Sequence, residues 1–230
     1  MTTIHLIAKA LRVFPLAVTL GVTAALLFGL CATALATPVA HLTLHSEPGD
    51  FIGGGMDFDI TYTPVGATFF FAQVNRTLPS GSPTLLNFTF LPFLPPFPFP
   101  DDFATLAFGT DQLGIPIQPG FYPDAQRAPF AAPGHPGLDV TFNHNGCNTD
   151  TGNFTIADVS FLTGNVINTF AASFEQHCEG ATPALFGTFA YSLSGDLPAT
   201  PSVPEPSTWL LFGSGLAGLA AWRRRRKQTV

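Results

Sequence analysis

Glu175, His177 and Glu179 alternate along one stretch, and alternate residues of an extended chain share a face. A histidine between two carboxylates is a pattern for general acid–base work or for part of a metal site. It is also what a structural histidine beside a cysteine looks like, and that plainer reading is preferred. No Gly-x-Ser-x-Gly elbow, His-Glu-x-x-His pair or phosphate loop occurs between the chain ends. The reading is therefore not an enzyme, with no catalytic residue and no cofactor assigned; a hydrolase centred on Glu175, His177 and Glu179 is the alternative.

Asp50, Asp57 and Asp59 flank a glycine-rich turn and could offer oxygen ligands to calcium. Their spacing fits no calcium loop, and Asp57 and Asp59 also fit the wet face of a strand. Cys147 and Cys178 are expected to form one disulfide in an oxidising compartment. Zinc is the competing reading, because His144 and His177 lie near them. His177 and Cys178 are adjacent, however, and adjacent strand residues point to opposite faces. No metal site is therefore assigned.

These residues need strands to position them. Between Thr37 and Asp196 the chain is rich in Phe, Gly, Pro, Thr, Asn and Ser and has no helical periodicity. His41–Leu44 reads as a first edge strand. In Met56–Thr63 the residues Met56, Phe58, Ile60 and Tyr62 alternate with Asp57, Asp59, Thr61 and Thr63, as in a half-buried strand. Further strands are expected at Ala67–Val74, Thr84–Leu91, Thr105–Phe108, Phe121–Tyr122, Leu138–Phe142, Asn153–Leu162, Val166–Gln176 and Leu185–Leu193. The turn Thr163-Gly164-Asn165 predicts a hairpin. Phe154 and Ile156 differ in parity from Val159 and Phe161, which predicts a bulge near Ala157-Asp158. The proline-rich Pro92–Pro100 reads as an extended loop. The fold class expected is all-β: an antiparallel β-sandwich, jelly-roll-like, over residues 37–196. Asn75, Asn87 and Asn153 each begin an N-glycosylation tripeptide, which Thr-rich β sequences produce readily by chance.

All fifteen acids fall between Glu47 and Glu205, against only Arg76 and Arg127 among the nine basic residues. A body this acidic argues against nucleic acid or anionic lipid as partners. The basic residues sit at the ends. Lys9 and Arg12 precede an apolar run, Val13–Leu30, and Ala34-Leu35-Ala36 fits the small-x-small pattern for signal peptidase. Residues 1–36 therefore read as a signal peptide cut between Ala36 and Thr37. Cys31 follows Leu30, which is too large for a lipidation box.

At the other end a spacer, residues 197–202, leads into residues 203–230. There Val203-Pro204-Glu205-Pro206 precedes an uncharged segment, Trp209 to Trp222, and then Arg223, Arg224, Arg225, Arg226 and Lys227. A helix over 209–222 spans about 21 Å against a hydrocarbon core of about 30 Å, short for a permanent anchor. Trp209 and Trp222 suit the two membrane interfaces, and the five cations hold the terminus in the cytoplasm. This order of parts closely resembles the PEP-CTERM sorting signal of Gram-negative bacteria. The resemblance implies recognition of Pro204, Glu205 and Pro206 by an exosortase-type membrane enzyme, with export to the cell surface or the extracellular matrix. It also implies an association with exopolysaccharide and biofilm, and the chain is expected to be membrane-anchored before processing. Ser46–Gly55, Gly146–Thr155 and Phe174–Gly187 resemble a secreted bacterial β-domain. That likeness implies one structural unit around the cysteine pair and no activity. The function expected is an exported structural or interaction protein with extracellular polysaccharide as a partner. The alternative is a carbohydrate- or calcium-binding β-sandwich.

Overall fold

The computed structural model describes residues 37–65, 67–92 and 102–201. The expected signal peptide with its Ala36 cleavage site, most of the proline-rich loop, and the sorting signal with the 209–222 membrane segment lie outside the described residues. Among the described residues no helix is long and apolar enough to cross a membrane.

Among the described residues ten strands form: β1 Val39–Ser46, β2 Asp57–Tyr62, β3 Ala67–Thr77, β4 Pro83–Pro92, β5 Ala104–Gly109, β6 Gly120–Arg127, β7 Gly137–Phe142, β8 Asp150–Leu162, β9 Val166–Cys178 and β10 Leu185–Ser192. A single 3₁₀ turn, Asp111–Leu113, interrupts them among the described residues. The all-β expectation holds, but the two-sheet sandwich does not. Hydrogen bonding runs unbroken through all ten strands in the order β2-β1-β10-β9-β8-β6-β7-β5-β4-β3. Pairing is antiparallel except for a short parallel step, where Gln126 and Arg127 of β6 meet Gly137 and Leu138 of β7. The sheet curls into a nearly closed barrel. Tyr62, on one edge strand, stacks 4.8 Å from Phe90, one strand in from the other edge.

Alternation decides what fills the interior. Side chains of period two place Leu86, Phe88 and Phe90 of β4 inside, with Phe170 and Phe174 of β9 and Phe189 and Tyr191 of β10 facing them. Phe88 sits 5.1 Å from Phe170, 4.7 Å from Phe189 and 5.7 Å from Tyr191. Among the described residues seven of the twelve largest fully buried side chains are phenylalanines, so much of the domain's phenylalanine serves the core. Gly187 pairs directly with Phe174, and a Cβ there would lie 2.3 Å from the Phe174 ring. The ring packs over the bare backbone because no side chain competes for the space.

Several sequence expectations need adjustment. β1 is not an edge, because β2 pairs outside it and β10 on its other side. Pro92 closes β4 rather than opening a loop. Met56 lies before β2 and is 58 % exposed, whereas Phe58, Ile60 and Tyr62 do turn inward. The β8–β9 hairpin forms, with Leu162 opposite Val166. Its register slips between Ile156 and Asp158, and this carries Val159 and Phe161 back against the core. The first and last strands pair, Val39 opposite Ser192. A Cβ on Gly195 would lie 3.1 Å from the carbonyl of Thr37, so the chain enters and leaves the domain side by side.

Candidate functional site

β9 carries Glu175 and His177 on its outer face. His177 Nε2 lies 2.9 Å from Glu175 Oε1, and its Nδ1 lies 3.0 Å from the carbonyl of Thr182. Glu175 also accepts from the Asn153 side chain at 3.0 Å. Both ring nitrogens therefore face acceptors of the fold, and neither is aimed at a reacting group. Glu179 does not join them. The strand ends at Cys178, and Glu179 adopts φ +54°, which swings its side chain toward Asn148 and Thr149. The backbone N–H of Asn148 donates to it at 2.5 Å and the Thr149 hydroxyl at 3.0 Å. Those donors, the Asn148 amide first, hold the Glu179 carboxyl below the usual range despite some desolvation. The sequence trio thus divides into a surface His–Glu pair and a loop brace.

The three aspartates also part company. Asp50 is buried and accepts from Ser46 Oγ at 2.8 Å and the Gly53 N–H at 2.9 Å, closing the β1–β2 turn. Asp57 and Asp59 stand on the outer face of β2, where His45 and His41 lie 2.6 Å and 2.7 Å away. Among the described residues no three His, Cys, Asp or Glu side chains converge as a metal site. Cys147 and Cys178 form a disulfide with Cα atoms 5.0 Å apart. His144 stacks on Phe103, with ring centroids 5.0 Å apart.

Sequence reasoning missed a buried polar group beside that disulfide. Gln176 lies inside, where it bridges β9 to β7 across the barrel. Its side chain accepts from the Val140 N–H at 2.8 Å and donates to the Val140 carbonyl at 3.0 Å. It also reaches Cys147 Sγ at 3.3 Å. Parity gives the signal, since Phe174, Gln176 and Cys178 alternate together.

Asp150, opposite Cys178 in the ladder, is 5 % exposed, and neither carboxylate oxygen has a hydrogen-bond partner. Burial, and secondarily the nearby Asp139, pushes it up to about 8; Arg127 opposes the shift and Glu179 adds to it. Asp139 is raised by burial, against the Arg127 guanidinium whose Nε lies 3.2 Å from its Oδ2.

A carboxyl raised in the folded state keeps its proton where the unfolded chain has lost it, so folding stability falls as pH rises from about 4 to about 8. Urea unfolding of wild type and Asp150→Asn should show wild type losing about 2–4 kcal/mol relative to the variant between pH 5 and 8. Parallel profiles would place Asp150 in contact with water.

Residues 202–226 match the family model described as the PEP-CTERM protein-sorting motif. No curated protein and no solved structure matches the chain. The protein thus carries a PEP-CTERM sorting motif on an all-β, disulfide-bonded domain. That motif implies interaction with an exosortase-type sorting system, as expected from the Pro204-Glu205-Pro206 signal.

Proposed function

We propose that this chain is an exported structural or interaction protein that reaches the cell surface or the extracellular matrix through its sorting motif. The match over residues 202–226 carries the reading. In it, signal peptidase cuts between Ala36 and Thr37, and Pro204-Glu205-Pro206 is recognised by an exosortase-type membrane enzyme. Trp209 to Trp222 enters the bilayer transiently, and Arg223 to Lys227 stops translocation. A disulfide suits the oxidising side of a membrane. The adjacent entry and exit of the chain at Thr37 and Gly195 lets both ends be processed at one side of a finished domain.

The test is to replace Arg223–Lys227 with neutral residues. The variant is expected to be secreted with its tail uncut; normal processing would remove the stop role from those residues. A second reading is a carbohydrate-binding β-domain, favoured by a polar cleft on the outer face of β4, β5 and β7. Calcium has no comparable support, since Asp57 and Asp59 already pair with histidines.

A further inference from the structure

The sheet has two ends, β2 and β3, and they differ in what surrounds them. The Phe58 ring centroid lies 4.6 Å from that of Phe142, and the Tyr62 centroid 4.8 Å from that of Phe90. Phe90, Ala104 and Phe142 form one row across β4, β5 and β7. β2 therefore runs along that row, crosses those strands and covers one mouth of the barrel. Going back from Tyr62 to Phe58, it leads away from β3. Among the described residues β3 is hydrogen-bonded to β4 alone, and no strand joins its far side.

Such an edge is a template for another strand unless something blunts it. Charge blunts β2, which points Asp57 and Asp59 outward. β3 lacks that protection. Its register shifts against β4 fall before Phe69 and after Val74. The six residues between them, Phe69-Phe70-Phe71-Ala72-Gln73-Val74, contain no charge, proline or glycine. A neutral segment of this length and β-propensity favours strand addition. Phe70, Ala72 and Val74 only partly bury themselves against the core, and Gln73 and Asn75 are exposed. The strand's one cation, Arg76, is already paired with Asp111.

The same features select the partner. The domain holds fifteen acids against two arginines, so two copies repel over most of their surface. A neutral strip is where that repulsion is least. Two β2 edges would set aspartates beside aspartates, whereas two β3 edges meet without opposed charge. A twofold axis also needs no second kind of surface, because the same strand supplies both halves.

We infer that the free edge of β3 pairs with β3 of a second copy, antiparallel about a twofold axis, and joins two barrels into one continuous sheet. This deepens the interaction-protein reading by naming the partner and rests on that reading for its role, while the pairing itself is measured apart from sorting.

The test is sedimentation velocity on the full chain in detergent, over a concentration series at low and high salt. A monomer–dimer equilibrium is expected, and it should tighten as salt screens the acidic domains. Gln73→Lys should weaken the dimer about tenfold, since symmetry sets two new cations at one junction, while the diluted monomer melts as wild type does. If that variant fails to fold, Asn75→Lys is read in its place. Thr61→Lys on β2 should leave the dimer unchanged. A dimer that survives the β3 variant would place the contact elsewhere and overturn the proposal, as would one that loosens with salt. Open-ended oligomers would overturn the twofold pairing. A chain that stays monomeric at every concentration would overturn self-association and leave the interaction reading to a different partner.

Discussion

Replacing Phe88 by alanine is expected to lower the unfolding free energy by about 3–5 kcal/mol, the range for emptying a large aromatic site in a packed interior. Phe88 is wholly buried, and three rings from β9 and β10 lie within 5.7 Å of it. It is therefore the point where the two sides of the curled sheet meet. Few smaller residues are placed to move into the gap, because Phe170 and Phe189 are themselves 6.1 Å apart and held by their own strands. In a domain of this length the loss corresponds to a melting shift of roughly 6–20 °C. Phe121→Ala is the control: its ring is 63 % exposed, and the change should stay within about 0.5 kcal/mol. Equal effects of the two would mean that the barrel interior is not packed as described.

The second large effect is expected from the disulfide. Cys147 and Cys178 are separated by 31 residues, and closing a loop of that length removes about 3–4 kcal/mol of unfolded-state freedom in the chain-entropy picture. The bond also ties the loop before β8 to the end of β9, where Glu179 braces Asn148 and where Asp150 is buried. The double variant Cys147→Ala, Cys178→Ala should therefore lose about 3 kcal/mol or more. It should also lose part of the rise in the Asp150 proton affinity, since water would reach that carboxyl. A loss under about 1 kcal/mol would mean that the hairpin and Gln176 hold this corner without the bond.

Most local features were legible in the sequence, and the largest failures were long-range. Strict alternation in Phe58, Ile60 and Tyr62 marked β2, and the parity break between Ile156 and Val159 marked the bulge. Both depend only on neighbours along the chain. Closure into one sheet depends on pairing β1 with β10 and β6 with both β7 and β8, which no local pattern encodes. A strand end, not a long-range pairing, broke the Glu175–His177–Glu179 trio. Parity shares a face only while the strand continues, and it ends at Cys178. The outer-face cleft was illegible for the reason that closure was, since Asn87, Ala107 and Asp139 become neighbours only through two ladders. The sorting motif was fully legible, because its order along the chain is itself the signal.

The central claim, that the chain is sorted and cut through that motif, is tested most directly by the intact mass of the protein recovered outside the cells of its host. The account predicts a chain beginning near Thr37 and ending near Pro204-Glu205-Pro206, which gains two hydrogens on reduction. A recovered chain that still carries Trp209 to Val230 would contradict it, and the protein would then be an anchored membrane protein.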